Sequence, residues 1–81
     1  MKIDFTPKAL DGIDELSPIV KKVLYKQLGF LKTNLRHPSL RAKKYEGFED
    51  VWQARVNDDW RFYFLINGGA YLILEVIPHP K

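Results

Sequence analysis

The stretch Trp52-Gln53-Ala54-Arg55-Val56-Asn57-Asp58-Asp59-Trp60-Arg61-Phe62-Tyr63-Phe64 decides how this chain folds. Two alternating segments flank a polar Asn-Asp-Asp turn, and each segment carries one arginine. Successive side chains of a strand point to opposite faces, so a loop at Asn57, Asp58 and Asp59 sets Arg55 opposite Arg61 and Gln53 opposite Tyr63. Trp52, Ala54, Val56, Trp60, Phe62 and Phe64 then share the other, apolar face. Slipping the pairing by one residue would bury an unpaired arginine at a cost of several kcal/mol. The two guanidinium groups are therefore expected side by side on the open face of a sheet. Neighbouring cations repel, so the pair calls for an anion, supplied by the protein or by a ligand.

Downstream, Asn67-Gly68-Gly69 marks a second turn, and three strands are expected to run as a meander: Val51 to Val56, Trp60 to Ile66, and Ala70 to Ile77. For the last of these, the register that puts Leu72, Leu74 and Val76 on the core pairs Arg61 with Glu75; the slipped alternative buries Glu75. The favoured register lines up Arg55, Arg61 and Glu75 across three strands. If the strand stays extended through Pro78, His79 joins them, and the open face holds Gln53, Arg55, Arg61, Tyr63, Tyr71, Glu75 and His79. Tyr63 and Tyr71 are then candidates to stack on bases, whereas parity sends Trp52 and Trp60 to the core.

Upstream, Lys2 to Phe5 reads as a short strand. Thr6-Pro7 has the form of an N-cap followed by a first-turn proline, and Ala9, Leu10, Ile13 and Leu16 give helical spacing. Ser17-Pro18 repeats the signal, with Val20, Val23, Leu24, Leu28, Leu31 and Leu35 tracing an apolar stripe that ends near Asn34. His37-Pro38 stops this helix, and His37 reads as a solvated loop residue. The expected fold is α+β, in the order β-α-α-β-β-β, with an antiparallel sheet, a helical hairpin packed on one face, and one domain over residues 1–81.

An apolar fraction of 46% in 81 residues argues for a folded globule with a thin core. The absence of cysteine excludes disulfides and thiolate metal sites. His37 and His79 have no near-sequence partner for zinc, so chemistry without metal or cofactor is the expectation. No apolar run approaches the roughly 18 residues that span a bilayer, and Met1-Lys2-Ile3-Asp4-Phe5 lacks a signal-peptide core; a cytoplasmic protein with no membrane partner is expected. The net charge of +3 is unevenly spread. From Leu16 to Tyr45 the chain carries Lys21, Lys22, Lys26, Lys32, Arg36, Arg41, Lys43 and Lys44 and no acid. Such a segment suits a polyanionic or acidic partner, although Lys21, Lys22, Lys26 and Lys32 equally suit the solvated face of a helix.

The element order, the Trp52, Arg55, Val56, Arg61 and Tyr63 hairpin, and a histidine near the C-terminus together resemble the RelE/ParE superfamily of toxin-antitoxin toxins. The resemblance covers almost the whole chain and is most specific from Gly47 to Phe64. It implies a type II toxin, and specifically a metal-independent endoribonuclease (mRNA interferase) that represses translation by cutting messenger RNA on the ribosome, with ribosomal RNA contacts. The alternatives within the resemblance are a ParE-like inhibitor of DNA gyrase that is not a nuclease, or a catalytically degenerate member kept for antitoxin binding. A cognate antitoxin is the implied protein partner.

By the same resemblance Arg61 matches the phosphate-clamping arginine, Arg55 adds a second contact, and His79 matches a general acid or base. Lys43 and Lys44, with Arg41, correspond to basic residues ahead of the hairpin that contact phosphate. The chain departs from the family at two places. Ala42 stands where certain members carry a glutamate base, leaving Glu46 as the nearest carboxylate, and Pro80 stands where several carry a tyrosine. Tyr63, Tyr71 or Glu46 are the groups available to fill the acid-base set.

Overall fold

A computed structural model describes residues 2–45, 47 and 50–79. The chain forms β1 (Lys2–Phe5), α1 (Pro7–Asp14), α2 (Pro18–Thr33), a 3-10 turn (Pro38–Leu40), β2 (Lys43–Lys44), β3 (Trp52–Arg55), β4 (Trp60–Asn67) and β5 (Ala70–Pro78). Both helices start where the caps predict: the Thr6 and Ser17 side chains accept from the N–H groups of Ala9 and Val20, with proline in the first turn of each. Asn34 closes α2.

The five strands form one sheet in the order β1-β5-β4-β3-β2. It is mixed rather than wholly antiparallel, because β1 returns parallel to β5. A connection between parallel strands must cross over the sheet, and here the helical pair and the meander lie between them. The two-residue β2, not expected from the sequence, pairs antiparallel with β3 and carries Lys43 and Lys44 onto the sheet.

The decisive hairpin has the expected register, with Gln53 opposite Tyr63 and Arg55 opposite Arg61. Asn57 makes its turn: Oδ1 accepts from the N–H groups of Asp59 and Trp60 at 2.9 and 3.0 Å. The β4/β5 register differs from expectation. Gly68 and Gly69 both take positive φ (52° and 84°), making a two-residue turn that pairs Asn67 with Ala70 instead of a three-residue loop. That turn puts Tyr71 and Ile73 on the core face in place of Leu72 and Leu74. A bulge between Tyr63 and Phe64 then absorbs one residue and returns Val76 to the core and Glu75 to the open face. Glu75 consequently lies opposite Tyr63, and Arg61 lies opposite Ile77.

The core joins Leu24, Leu28 and Leu31 of α2 and Ala9 and Ile13 of α1 to Ala54, Phe62, Phe64, Ile73 and Val76 of the sheet. Trp52 and Trp60 pack against it as predicted, half-buried. Beyond Ile73, α1 takes over the exposed edge of β5. The Thr6 backbone N–H donates to the Ile73 carbonyl at 3.0 Å, and its hydroxyl donates to the Leu74 carbonyl at 2.7 Å. Gly12 permits the close approach, since a Cβ there would lie 2.7 Å from the Val76 carbonyl oxygen. Gly12→Ala gains helix propensity worth under about 1 kcal/mol but forces backbone apart, which typically costs about 1–3 kcal/mol. Urea denaturation should show net destabilisation; a more stable alanine variant would mean that α1 does not seat on β5 this closely.

Candidate functional site

Arg55 and Arg61 stand beside each other on the sheet face turned away from α2, as the alternation requires. Their surroundings differ. Arg55 Nη2 donates to Asp58 Oδ1 at 2.6 Å, a bond across the hairpin turn to a carboxylate whose side chain is 86% exposed. An ion pair this open to water contributes under about 1 kcal/mol and yields readily to a competing anion. Arg61 Nη1 donates to the main-chain carbonyls of Asn57 at 2.5 Å and Trp60 at 3.0 Å. Carbonyls orient a guanidinium without cancelling its charge. The predicted Glu75 partner is absent from this row, because the bulge moves that carboxylate to the neighbouring one, where Lys8 Nζ binds Oε2 at 2.7 Å.

The two arginines, with Arg41, Lys43, Gln53 and His79, line a cavity of about 230 Å³. Four formal cations face it, and Asp58 sets an exposed carboxylate on Arg55. Crowded positive charge favours an anion in the space between. Arg41 reaches the cavity from a left-handed backbone conformation (φ 46°) that turns the chain out of the 3-10 turn. Such a conformation costs a residue other than glycine about 1 kcal/mol. Lys44 points away, its Nζ 5.9 Å from the centre of the Trp52 ring.

Gln27 holds this corner together and was missed by the sequence reading. Only 5% exposed, it donates through Nε2 to the carbonyls of Ser39 (3.0 Å) and Arg55 (2.9 Å), while Oε1 accepts from the Ser39 hydroxyl at 3.1 Å. The signal was available: position 27 lies on the apolar stripe, three residues after Leu24 and four before Leu31, and a polar residue there has a reason to be there.

His79 reaches the arginine cavity, as expected for a strand extended past Pro78. Its backbone N–H donates to the Asp59 carbonyl at 2.8 Å, fastening the strand end to the hairpin loop. Its Nδ1 is buried without a hydrogen-bond partner among the described residues. Tyr71 does not reach the open face: the tight Gly68-Gly69 turn sends it into the core, 4% exposed and edge-on to Phe64. Tyr63 has the predicted parity but is only 8% exposed, because Tyr45 packs edge-on against its ring and Gln53 Nε2 donates to its hydroxyl at 3.0 Å. Glu46 lies outside the described residues. His37 is half-buried rather than solvated, stacked on Phe30 at 3.8 Å with Nδ1 toward Ser39.

No protein-family model and no curated protein matches the chain. Solved structures do. The YoeB/ParE toxin of Agrobacterium tumefaciens superposes with a TM-score of 0.84 at 14% identity, covering 99% of this chain and 100% of that one. The archaeal RelE-RelB complex of Pyrococcus horikoshii gives 0.82 at 16% identity over 99% and 96%, and the YoeB-YefM complex of Staphylococcus aureus 0.81 at 16% over 99% and 98%. At these identities the shared property is the fold: two helices and a five-stranded mixed sheet arranged as in RelE, YoeB and ParE toxins.

Proposed function

We propose that this protein is the toxin of a type II toxin-antitoxin pair and acts as a metal-independent endoribonuclease on messenger RNA at the ribosome. The observation that carries the reading is the cavity that Arg41, Lys43, Arg55 and Arg61 line together with His79. Cleavage of this kind removes the proton of a ribose 2′-OH, lets that oxygen attack the adjacent phosphorus, and protonates the departing 5′ oxygen, leaving a 2′,3′-cyclic phosphate. Negative charge grows on the two non-bridging oxygens. A planar, permanently charged guanidinium matches that oxygen pair. Arg61 is the clamp, pre-set by its two carbonyl contacts, so little reorganisation is needed as charge develops. Arg55 exchanges its exposed Asp58 partner for phosphate, and Arg41 and Lys43 guide the strand. His79 takes or returns a proton. Glu46, the carboxylate nearest in sequence to Ala42, is available as its acid-base partner, while Glu75 is held by Lys8.

The proposed protein partner is a cognate antitoxin whose acidic segment covers this basic face. The solved RelE-RelB and YoeB-YefM complexes support such a pairing by their composition. Induced expression tests the reading. Rapid arrest of protein synthesis with new 5′ ends inside translated codons is expected, mapped by primer extension. Filamentation and DNA damage with intact messages would replace it with a ParE-type action on gyrase, and unimpaired growth at high levels of folded protein would leave an inactive antitoxin-binding member.

A further inference from the structure

A second, larger hollow of about 360 Å³ lies on the same face of the sheet, lined by Tyr45, Val51, Tyr63 and Ile77 and by the Lys8–Glu75 ion pair. Shared lining residues link it, through a third hollow, to the arginine cavity. Lys43 and Gln53 border both that cavity and a smaller one that also takes in Tyr45, and Tyr45 in turn borders the larger hollow. The register explains the alignment. Lys43, Gln53, Tyr63 and Glu75 form one row across four strands, and Arg55, Arg61 and Ile77 form the next. A polar track thus leads from a place for phosphate into an apolar slot with one charged side.

We infer that this slot is a nucleobase subsite selective for guanine, which rests on the RNA reading above and names the base that site accepts. Aromatic and aliphatic walls suit the faces of a base, and stacking on such walls is tolerant of base identity. Selectivity comes from the charged side. The Watson–Crick edge of guanine presents, in order, the O6 acceptor, the N1–H donor and a donor from the N2 amino group. Lys8 Nζ bound to one oxygen of the Glu75 carboxylate presents the complementary order: a donor followed by two acceptors. Adenine, cytosine and uracil each bring a ring nitrogen or carbonyl acceptor against the carboxylate in that alignment. Glu75 is suited to the task because its side chain is only 27% exposed, so a mismatched acceptor there is not relieved by bulk water.

Titration calorimetry with 3′-GMP, 3′-AMP, 3′-CMP and 3′-UMP tests this, the phosphate seating among the arginines and the base in the slot. The intact protein should bind 3′-GMP about tenfold or more tightly than the other three, the discrimination expected of a good bidentate contact. Glu75→Gln should bring that ratio close to one. Lys8→Met should weaken 3′-GMP selectively, and Arg61→Ala should weaken all four together. Equal binding of the four nucleotides, or a guanine preference that survives Glu75→Gln, overturns the subsite; if Arg61→Ala still weakens every nucleotide, the RNA reading stands without it. Nucleotide binding indifferent to Arg61→Ala, or none at millimolar concentrations, removes both.

Discussion

Arg61→Ala is expected to lower RNA cleavage by about 10²–10³-fold, the loss typical when one preorganised donor to a developing oxyanion is removed. The size of the effect follows from how the side chain is held. Its contacts are main-chain carbonyls, which fix the direction of the guanidinium and leave its charge for the substrate. Arg55 begins neutralised by Asp58, so Arg55→Ala should cost less than Arg61→Ala. Arg61→Lys should not restore the rate, because an ammonium cannot span two phosphate oxygens as a planar fork does. The fold should survive, since the lost bonds are partly solvated and hairpin pairing does not depend on them; urea midpoints are expected to fall by about 1 kcal/mol equivalent or less. Cleavage of a translated message at the parental rate by the alanine variant would refute the clamp. Loss of cleavage together with loss of cooperative unfolding would instead reveal Arg61 as a structural residue.

The arginine pair was legible in the sequence because both strands of its hairpin alternate strictly, and only one register keeps both cations out of the core. The next pairing offered no such constraint. From Leu72 to Ile77 the sequence is apolar at both parities except for Glu75, so two registers bury comparable surface and differ mainly in the fate of one carboxylate. The chain escapes the choice by combining a tight turn with a bulge. It buries Tyr71 and Ile73 on one side of the irregularity and keeps Glu75 on the open face on the other. A bulge carries no fixed sequence signature, and for that reason Tyr71 was misplaced and the Arg61–Glu75 pair was expected in error. His79 was placed through its chain position and reaches the cavity because the strand continues through Pro78. The helix caps were legible for a local reason: each Thr/Ser-Pro pair satisfies a helix terminus within three residues.

Gln27→Leu should cost about 1–3 kcal/mol, since it removes the donor from the part-buried carbonyls of Ser39 and Arg55. For a domain of this length, whose whole stability is on the order of 4–12 kcal/mol, that is a severe loss from one uncharged residue. Leucine fits the surrounding stripe of Leu24, Leu28 and Leu31 in size, so the deficit reports hydrogen bonding and not a cavity. The damage should be local before it is global. Gln27 joins α2 to the 3-10 turn and to the end of β3, and Arg41 and Arg55 leave those two elements toward the cavity. Amide exchange should therefore accelerate around Ser39 to Arg41 at denaturant concentrations where the β4/β5 pairing remains protected. Gln27→Glu provides a pH-dependent counterpart. A carboxylate facing two carbonyls cannot donate, whereas its protonated form can, so burial raises its pKa in the folded state above the unfolded value. A raised folded pKa makes the variant weakest at neutral pH, with stability relative to the parent recovering as pH falls through that pKa. A Gln27→Glu protein whose deficit is the same at neutral and acidic pH would show that the side chain at position 27 is solvated and does not fasten the arginine corner.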